Sequence, residues 1–365
     1  MTHRGQLRGR RVFVTGHTGF KGAWLVMLLD RLGAAVTGYS LPPVSGRSLF
    51  DDAKVGDFLV EHVTGDVHDA AGVAAAIRRA QPDVILHLAA QPLVLLSHRQ
   101  PFETFATNVM GTAAVLDAVR GLAAPCAVVV VTSDKCYEPR ADGRPHTEAD
   151  RLGGRDPYSA SKAAAEIVVA AYRASYFPVD RLAEHGVQVA AVRAGNVIGG
   201  GDWAEDRIVT DIVRNLMAGR PVPVRHPAAI RPWQHVLDPL TGYLELAGSM
   251  LADPNERWCG GWNFGPAAGP DIPVRQLVEM FIAAWGSGSW RDVHDPRGPL
   301  ETAVLRLSID KACAGLAWRP ALSPADAIRR TAAWYRAYAE KPAAARELCR
   351  SDIEAHMATC PSPEA

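Results

Sequence analysis

Short apolar runs alternate with stretches of helical spacing through the first half of the chain. Arg11-Val-Phe-Val-Thr15 is one such run and stops at a glycine-rich turn, as a buried parallel strand does. Residues 21–32 carry apolar side chains at helical spacing, and 35–39 read as the next strand. The alternation then predicts helix over 70–80, strand over 84–88, helix over 104–120, strand over 127–131, helix over 158–176 and strand over 187–192. Strand–helix repetition of this kind predicts an α/β fold, a Rossmann-type doubly wound parallel sheet. After about residue 195 the pattern loosens into Gly199-Gly200-Gly201, a helix near 209–218, Pro-rich turns, and helices over 273–285 and 324–340. The expected organisation is a sheet domain over 1–195, rejoined by a segment near 230–265, then a smaller α/β lobe over 196–345. Residues 346–365 read as a C-terminal tail.

Composition narrows the class. Of the 365 residues, 48% are hydrophobic and 21% charged, so a sizeable core is available and disorder is not expected. The formal net charge of zero and the lack of a long basic run argue against nucleic acid or an anionic membrane as partner. Six scattered cysteines form no C-x-x-C, so neither a metal site nor a disulfide framework is expected. The basic first ten residues lead into a strand rather than a signal-peptide core, and no run of 18 apolar residues occurs. These features predict a soluble, cytoplasmic protein.

The chemistry begins at Thr15-Gly16-His17-Thr18-Gly19-Phe20-Lys21-Gly22, which lies between the first strand and the first helix. Gly16 suits the tight turn, Gly19 close approach of a pyrophosphate to backbone N–H groups, and Gly22 close packing of helix on strand. That placement predicts a dinucleotide site. Asp66 and Val67 follow the third strand, where a carboxylate can accept an adenine amino group; a turn or helix cap is the other reading of Asp66. Leu88, Ala89 and Gln91 end the fourth strand, where small residues admit a nicotinamide ribose. The second strand ends in Tyr39-Ser40-Leu41 with no acidic residue for the adenosine ribose, so this strand does not select NAD over NADP.

Ser133, Asp134 and Lys135 follow the fifth strand, at the edge where open α/β sheets bind ligands. Tyr158 and Lys162 are four residues apart on the next helix and share a face, so an ammonium can stabilise a phenolate beside it. Such a pair can take a proton from a sugar hydroxyl, and Asp134-Lys135 adds an acid and a base for moving water. An ordinary ion pair between Asp134 and Lys135 is the competing reading.

The glycine turn, the strand-end Ser and Tyr-x-x-x-Lys together resemble the extended short-chain dehydrogenase/reductase family. Within it the chain is similar to the dehydratases of CDP-glucose, through Thr15–Leu25, AAQPL over 89–93, TNVMGT over 107–112, TSDKCY over 132–137 and DPYSASK over 156–162. VRAGNVIGGGDW over 192–203, IRPWQHVL over 230–237 and GWNFGP over 261–266 extend the likeness. The resemblance implies NAD as cofactor, with Thr18, Phe20 and Thr107 added to its contacts. It also implies a redox-neutral lyase cycle on a nucleotide sugar, CDP-glucose favoured. Tyr158, its pKa lowered by Lys162 and the nicotinamide charge, takes the C4 hydroxyl proton while Ser133 bonds O4. Asp134 then protonates the leaving C6 hydroxyl, and neutral Lys135 removes the C5 proton. The product is a 4-keto-6-deoxy sugar. One alternative is a 4-epimerase or reductase of the same fold, which has no use for Asp134-Lys135; another is a non-catalytic dinucleotide-binding regulatory protein, which would have no use for Tyr158 and Lys162 either.

Arg207 and Arg231 suit a substrate pyrophosphate and Asn196 the sugar, with surface ion pairs and a turn as the other readings. Glu301 joins them by resemblance. Trp203 and Trp233 read either as walls of a base pocket or as core. Leu95, His98, Leu300 and Ala303 depart from the family's usual residues near the substrate. The resemblance further implies a homodimer, and possibly a dimer of dimers, built on the helices over 104–120 and 158–176 through Ala163, Ile167, Ala170 and Ala171.

Overall fold

The computed structural model describes residues 3–43, 46–294 and 304–359. Seven strands, β1 (Arg11–Thr15), β2 (Ala35–Ser40), β3 (Glu61–Thr64), β4 (Val84–His87), β5 (Cys126–Val131), β6 (Val187–Ala194) and β7 (Gly260–Phe264), form one sheet in the order β3-β2-β1-β4-β5-β6-β7. Every pairing is parallel. The strand order reverses between β1 and β4, which opens a crevice above their C-terminal ends.

The central strands are apolar because both faces are covered. In β5, Ala127, Val129 and Val131 enter one core, and Cys126, Val128 and Val130 enter the other. β1 divides likewise, with Val12 and Val14 on one face and Phe13 on the other. Helices α1 (Phe20–Arg31) and α6 (Leu237–Ala252) contribute Trp24, Leu25, Leu240 and Leu244 to the first layer. Helices α2 (Ala70–Ala80), α3 (Gly111–Val119) and α4 (Pro157–Ser175) contribute Val73, Val115 and Val169 to the second.

α4 starts at Pro157 because Asp156 caps it, accepting the Ser159 N–H at 2.9 Å, and proline suits a first helical position. The helix expected over 104–120 is instead a short helix Pro101–Phe105, a π-turn Ala106–Met110 and α3. Asn108 explains the interruption: its amide donates to Ser161 Oγ at 2.8 Å and to the Gln91 carbonyl at 3.1 Å, tying the turn to α4 and to the loop after β4.

The smaller lobe contains α5 (Ile208–Met217), α7 (Val274–Trp285), α8 (Pro324–Glu340) and a parallel pair, Val222–Val224 with Trp290–Asp292. β7 pairs with β6 at the edge of the main sheet, and α6 packs in its first layer. The tail expected over 346–365 is a helix through most of its described length. α9 (Ala345–Thr359) buries Cys349, Ile353 and His356 and bridges to α8 through Arg330 and Asp352 at 2.7 Å. Among the described residues no helix is long and apolar enough to cross a membrane.

Candidate active site

A cleft of 730 Å³ runs over the C-terminal ends of β1, β4, β5 and β6 and is closed by the smaller lobe. At one end is the glycine turn. Gly16 has φ +74°, and a Cβ there would lie 2.7 Å from the Ala89 backbone nitrogen. A Cβ on Gly22 would lie 2.2 Å from the Gly16 carbonyl oxygen. α1 opens at Gly19 with no side-chain cap, so its first N–H groups face the cleft. The turn therefore fits a dinucleotide pyrophosphate. Gly16→Ala is expected to destabilise the fold by more than ~2 kcal/mol and to abolish dinucleotide binding, read by thermal denaturation and cofactor titration.

Thr18, Phe20, Asp66, Val67, Leu88, Ala89 and Thr107 line the same end. Thr18 Oγ1 lies 2.8 Å from Ser40 Oγ and donates to the Leu41 carbonyl at 2.9 Å, closing the turn against β2. The Asp66 carboxylate accepts the His68 N–H at 3.0 Å, so the turn reading is realised while the side chain still borders the cleft. Gln91 differs from expectation: it is not part of the cleft wall. Its side-chain amide donates to Thr104 at 2.8 Å and to the Leu93 carbonyl at 3.1 Å, building the loop instead.

The middle of the cleft gathers Ser133, Asp134, Lys135, Tyr158 and Lys162. Ser133 caps a single turn, Asp134–Cys136, accepting the Lys135 N–H at 3.2 Å and donating to Asp134 Oδ1 at 3.1 Å. Asp134 is 2% exposed, and its Oδ2 has no hydrogen-bond partner among the described residues. Gly195 makes room for it, since a Cβ there would sit 1.9 Å from that oxygen. Burial pushes the Asp134 carboxyl above its ordinary range, against the pull of Lys135, Ser133 and Arg231. The Asp134–Lys135 ion pair does not form, and the Lys135 ammonium is neither paired nor hydrogen-bonded among the described residues.

Tyr158 is fixed by its own N–H, which donates to the buried Ser97 hydroxyl at 3.1 Å. Burial pushes its phenol up to about 12, with Ser133 and Arg207 pulling the other way. The lowered value expected depends on the nicotinamide charge as well as on Lys162; among the protein's own groups, burial outweighs Ser133 and Arg207. The Lys162 ammonium donates to the Val131 carbonyl at 3.2 Å and is pushed down to about 8 by burial, against the pull of Glu166. Lys21 was not expected here. It projects from the first turn of α1, and burial beside Arg207 and Lys162 lowers it to about 7. Its one sequence signal is a cation inside the glycine turn.

Asn196, Arg207 and Arg231 line the remaining length with Asp206, Arg225 and His226. Asn196 has φ +25° and Asp206 φ +60°, strained values for residues with side chains, held where the wall bends. Arg207 also donates to Asp202 at 2.8 Å, so the ion-pair reading is realised within the cleft wall. Trp233 borders the cleft, but it is 2% exposed and donates to the Ile272 carbonyl at 2.8 Å. Trp203 packs edge-on against Tyr335 and at a tilt against Tyr338 in the lobe and does not line the cleft. Leu95 lines the cleft and His98 does not. Glu301, Leu300 and Ala303 lie outside the described residues. Among the described residues no cluster of His, Cys, Asp or Glu is arranged to hold a metal ion.

Fold and cleft together define a Rossmann-type dinucleotide enzyme with a buried Tyr158 and Lys162 in its cleft. The chain belongs to the NAD dependent epimerase/dehydratase family, whose model matches residues 12–257. It is 42% identical to the CDP-glucose 4,6-dehydratase of Salmonella typhimurium over 331 residues, 91% of this chain and 92% of that one. The dTDP-glucose 4,6-dehydratase of Streptomyces antibioticus is 32% identical, with 77% of each chain covered. Among solved structures, the dTDP-glucose 4,6-dehydratase of Streptomyces venezuelae with NAD and TYD bound superposes with a TM-score of 0.74 at 28% identity. That match covers 90% of this chain and 97% of the other.

Proposed function

We propose that this chain is an NAD-dependent CDP-glucose 4,6-dehydratase that forms CDP-4-keto-6-deoxyglucose. The observation that carries the reading is Asp134: a buried acid with one oxygen free of hydrogen bonds among the described residues, next to Lys135, in the cleft that holds Tyr158 and Lys162. An epimerase needs only the Tyr–Lys pair, so the extra acid and amine favour dehydration. The 42% identity to the Salmonella dehydratase supports the same choice and favours the cytidine nucleotide.

NAD, held against Gly16, Gly19, Asp66, Val67, Leu88 and Ala89, would supply the hydride acceptor and donor that a redox-neutral cycle needs. The chain's own groups do the rest. Tyr158 takes the C4 hydroxyl proton, and the Ser133 hydrogen bond and the Arg207 charge oppose the burial that raises the phenol. Ser133 orients O4. With C4 oxidised, the C5 proton is acidic, and Lys135, once neutral, removes it. Asp134, its carboxyl raised by burial, gives its proton to the departing C6 oxygen. Arg207 and Arg231 hold the pyrophosphate and Asn196 the sugar. Incubation with CDP-, dTDP- and UDP-glucose tests the substrate: loss of one water fastest from the cytidine sugar is expected, and preference for another base contradicts the assignment.

We also infer a homodimer. Phe102, Met110 and Ile167 are 79%, 62% and 60% exposed on adjoining elements, beside exposed Ala170 and Ala171; Ala163 is buried and lies outside this face. Ile167→Glu is expected to convert the dimer to monomer in light scattering, because it places a charge in a desolvated apolar contact.

A further inference from the structure

A second buried ionic assembly lies directly behind the proton-transfer pair, and no step of the proposed reaction uses it. Glu166, 4% exposed, is one helical turn beyond Lys162 on α4. Its two oxygens accept Arg193 Nε and Nη2 from β6, each at 2.8 Å, in the fork geometry that arginine and a carboxylate share. The same carboxylate accepts the Thr132 hydroxyl at 2.5 Å, and Thr132 is the residue before Ser133. Arg193 continues outward, donating to Tyr137 Oη at 2.7 Å, and Tyr137 in turn donates to Asn263 on β7 at 2.7 Å. The assembly therefore grips both ends of the turn that carries Ser133, Asp134 and Lys135, as well as the helix that carries Tyr158 and Lys162.

A buried ion pair is weak evidence of stabilisation, since an apolar replacement is often neutral. Its placement argues for another role. The groups around the Lys162 ammonium are Tyr158 and Glu166 on its own helix, Cys136 after β5, His87 on β4 and Lys21 on α1. Burial keeps the Tyr158 phenol and the Cys136 thiol protonated and His87 neutral, and Lys21 opposes a second positive charge. Glu166, clamped by Arg193, is the carboxylate in the set.

We propose that Glu166 is a positioning residue: through Thr132 it fixes the strand end that aims Ser133 and Asp134, and it keeps the Lys162 ammonium charged beside Tyr158. The inference rests on the proposed reaction for its kinetic consequence but not for its electrostatic one.

The test is the variant Glu166→Gln/Arg193→Gln, which retains hydrogen bonding and leaves neither charge buried alone. The chain has six lysines, so 13C-lysine labelling lets the Lys162 Cε resonance be followed with pH. Lys162 is expected to lose its proton about one pH unit or more below the wild-type midpoint. The alkaline limb of kcat/KM should move down with it. A folded variant whose Lys162 titrates with the wild type overturns the electrostatic role. Thr132→Val leaves the ion pair intact and keeps the proposal testable if the double variant does not fold. It should lower kcat about tenfold with KM unchanged; unchanged kcat overturns the positioning role. A wild-type protein that turns over no nucleotide sugar would refute the proposed reaction, while the lysine titration would still decide this inference.

Discussion

Tyr158→Phe is expected to lower kcat about a thousand-fold or more, with the fold and dinucleotide affinity preserved. In the proposed reaction the phenol accepts the C4 hydroxyl proton, and the change removes one oxygen without altering ring volume. That ring is 8% exposed and held by the N-terminal turn of α4, where the Ser97 hydroxyl accepts the Tyr158 N–H. The variant should therefore melt close to the wild type, and CDP-glucose should bind with unchanged affinity by calorimetry. If activity survived the loss of the hydroxyl, another group would have to take the proton. Ser133 is the neighbour to examine, and its ordinary alcohol is a far weaker base.

Asp134→Asn is the second large effect. The carboxyl is buried, unpaired at Oδ2 and pushed toward its protonated form, which is the state a general acid needs at neutral pH. An amide of the same shape cannot give a proton to the C6 oxygen. Dehydration is expected to fall by a factor of about 100–1,000, while oxidation at C4, which depends on Tyr158, continues. The distinguishing sign is a 4-keto sugar that still carries its C6 hydroxyl, lighter than the substrate by two hydrogens. Equal loss of both steps would mean that Asp134 serves the architecture of the turn rather than the elimination. The pH dependence has a definite sign. The raised carboxyl supplies its proton below its folded pKa, so dehydration should fail on the alkaline side first as Asp134 ionises.

The alternation of strand and helix was legible because a doubly wound sheet buries both strand faces and one helical stripe, leaving periods that can be counted. Tyr158 and Lys162 were legible for a similar reason, since four residues on a helix return to the same face. The isolation of Asp134 was not. It depends on Gly195 of a different strand leaving space, and no local pattern records that. Gln91 looked like a cofactor contact from its place after β4, but the π-turn around Asn108 turns its amide into the loop. Lys21 was hidden within a motif read for its glycines. α9 escaped notice because two of the buried positions on its inner face are Cys349 and His356, which a hydrophobic pattern does not count. Arg207 shows that alternative readings need not exclude each other, for it pairs with Asp202 and still lines the cleft.

The most direct test of the central claim is turnover of CDP-glucose in deuterated water, with mass and NMR analysis of the sugar. The account predicts a 4-keto-6-deoxy product, lighter by one water and carrying solvent deuterium at C5, with no net oxidation or reduction. A C4 epimer that retains every oxygen would contradict it and return Asp134 and Lys135 to a structural role.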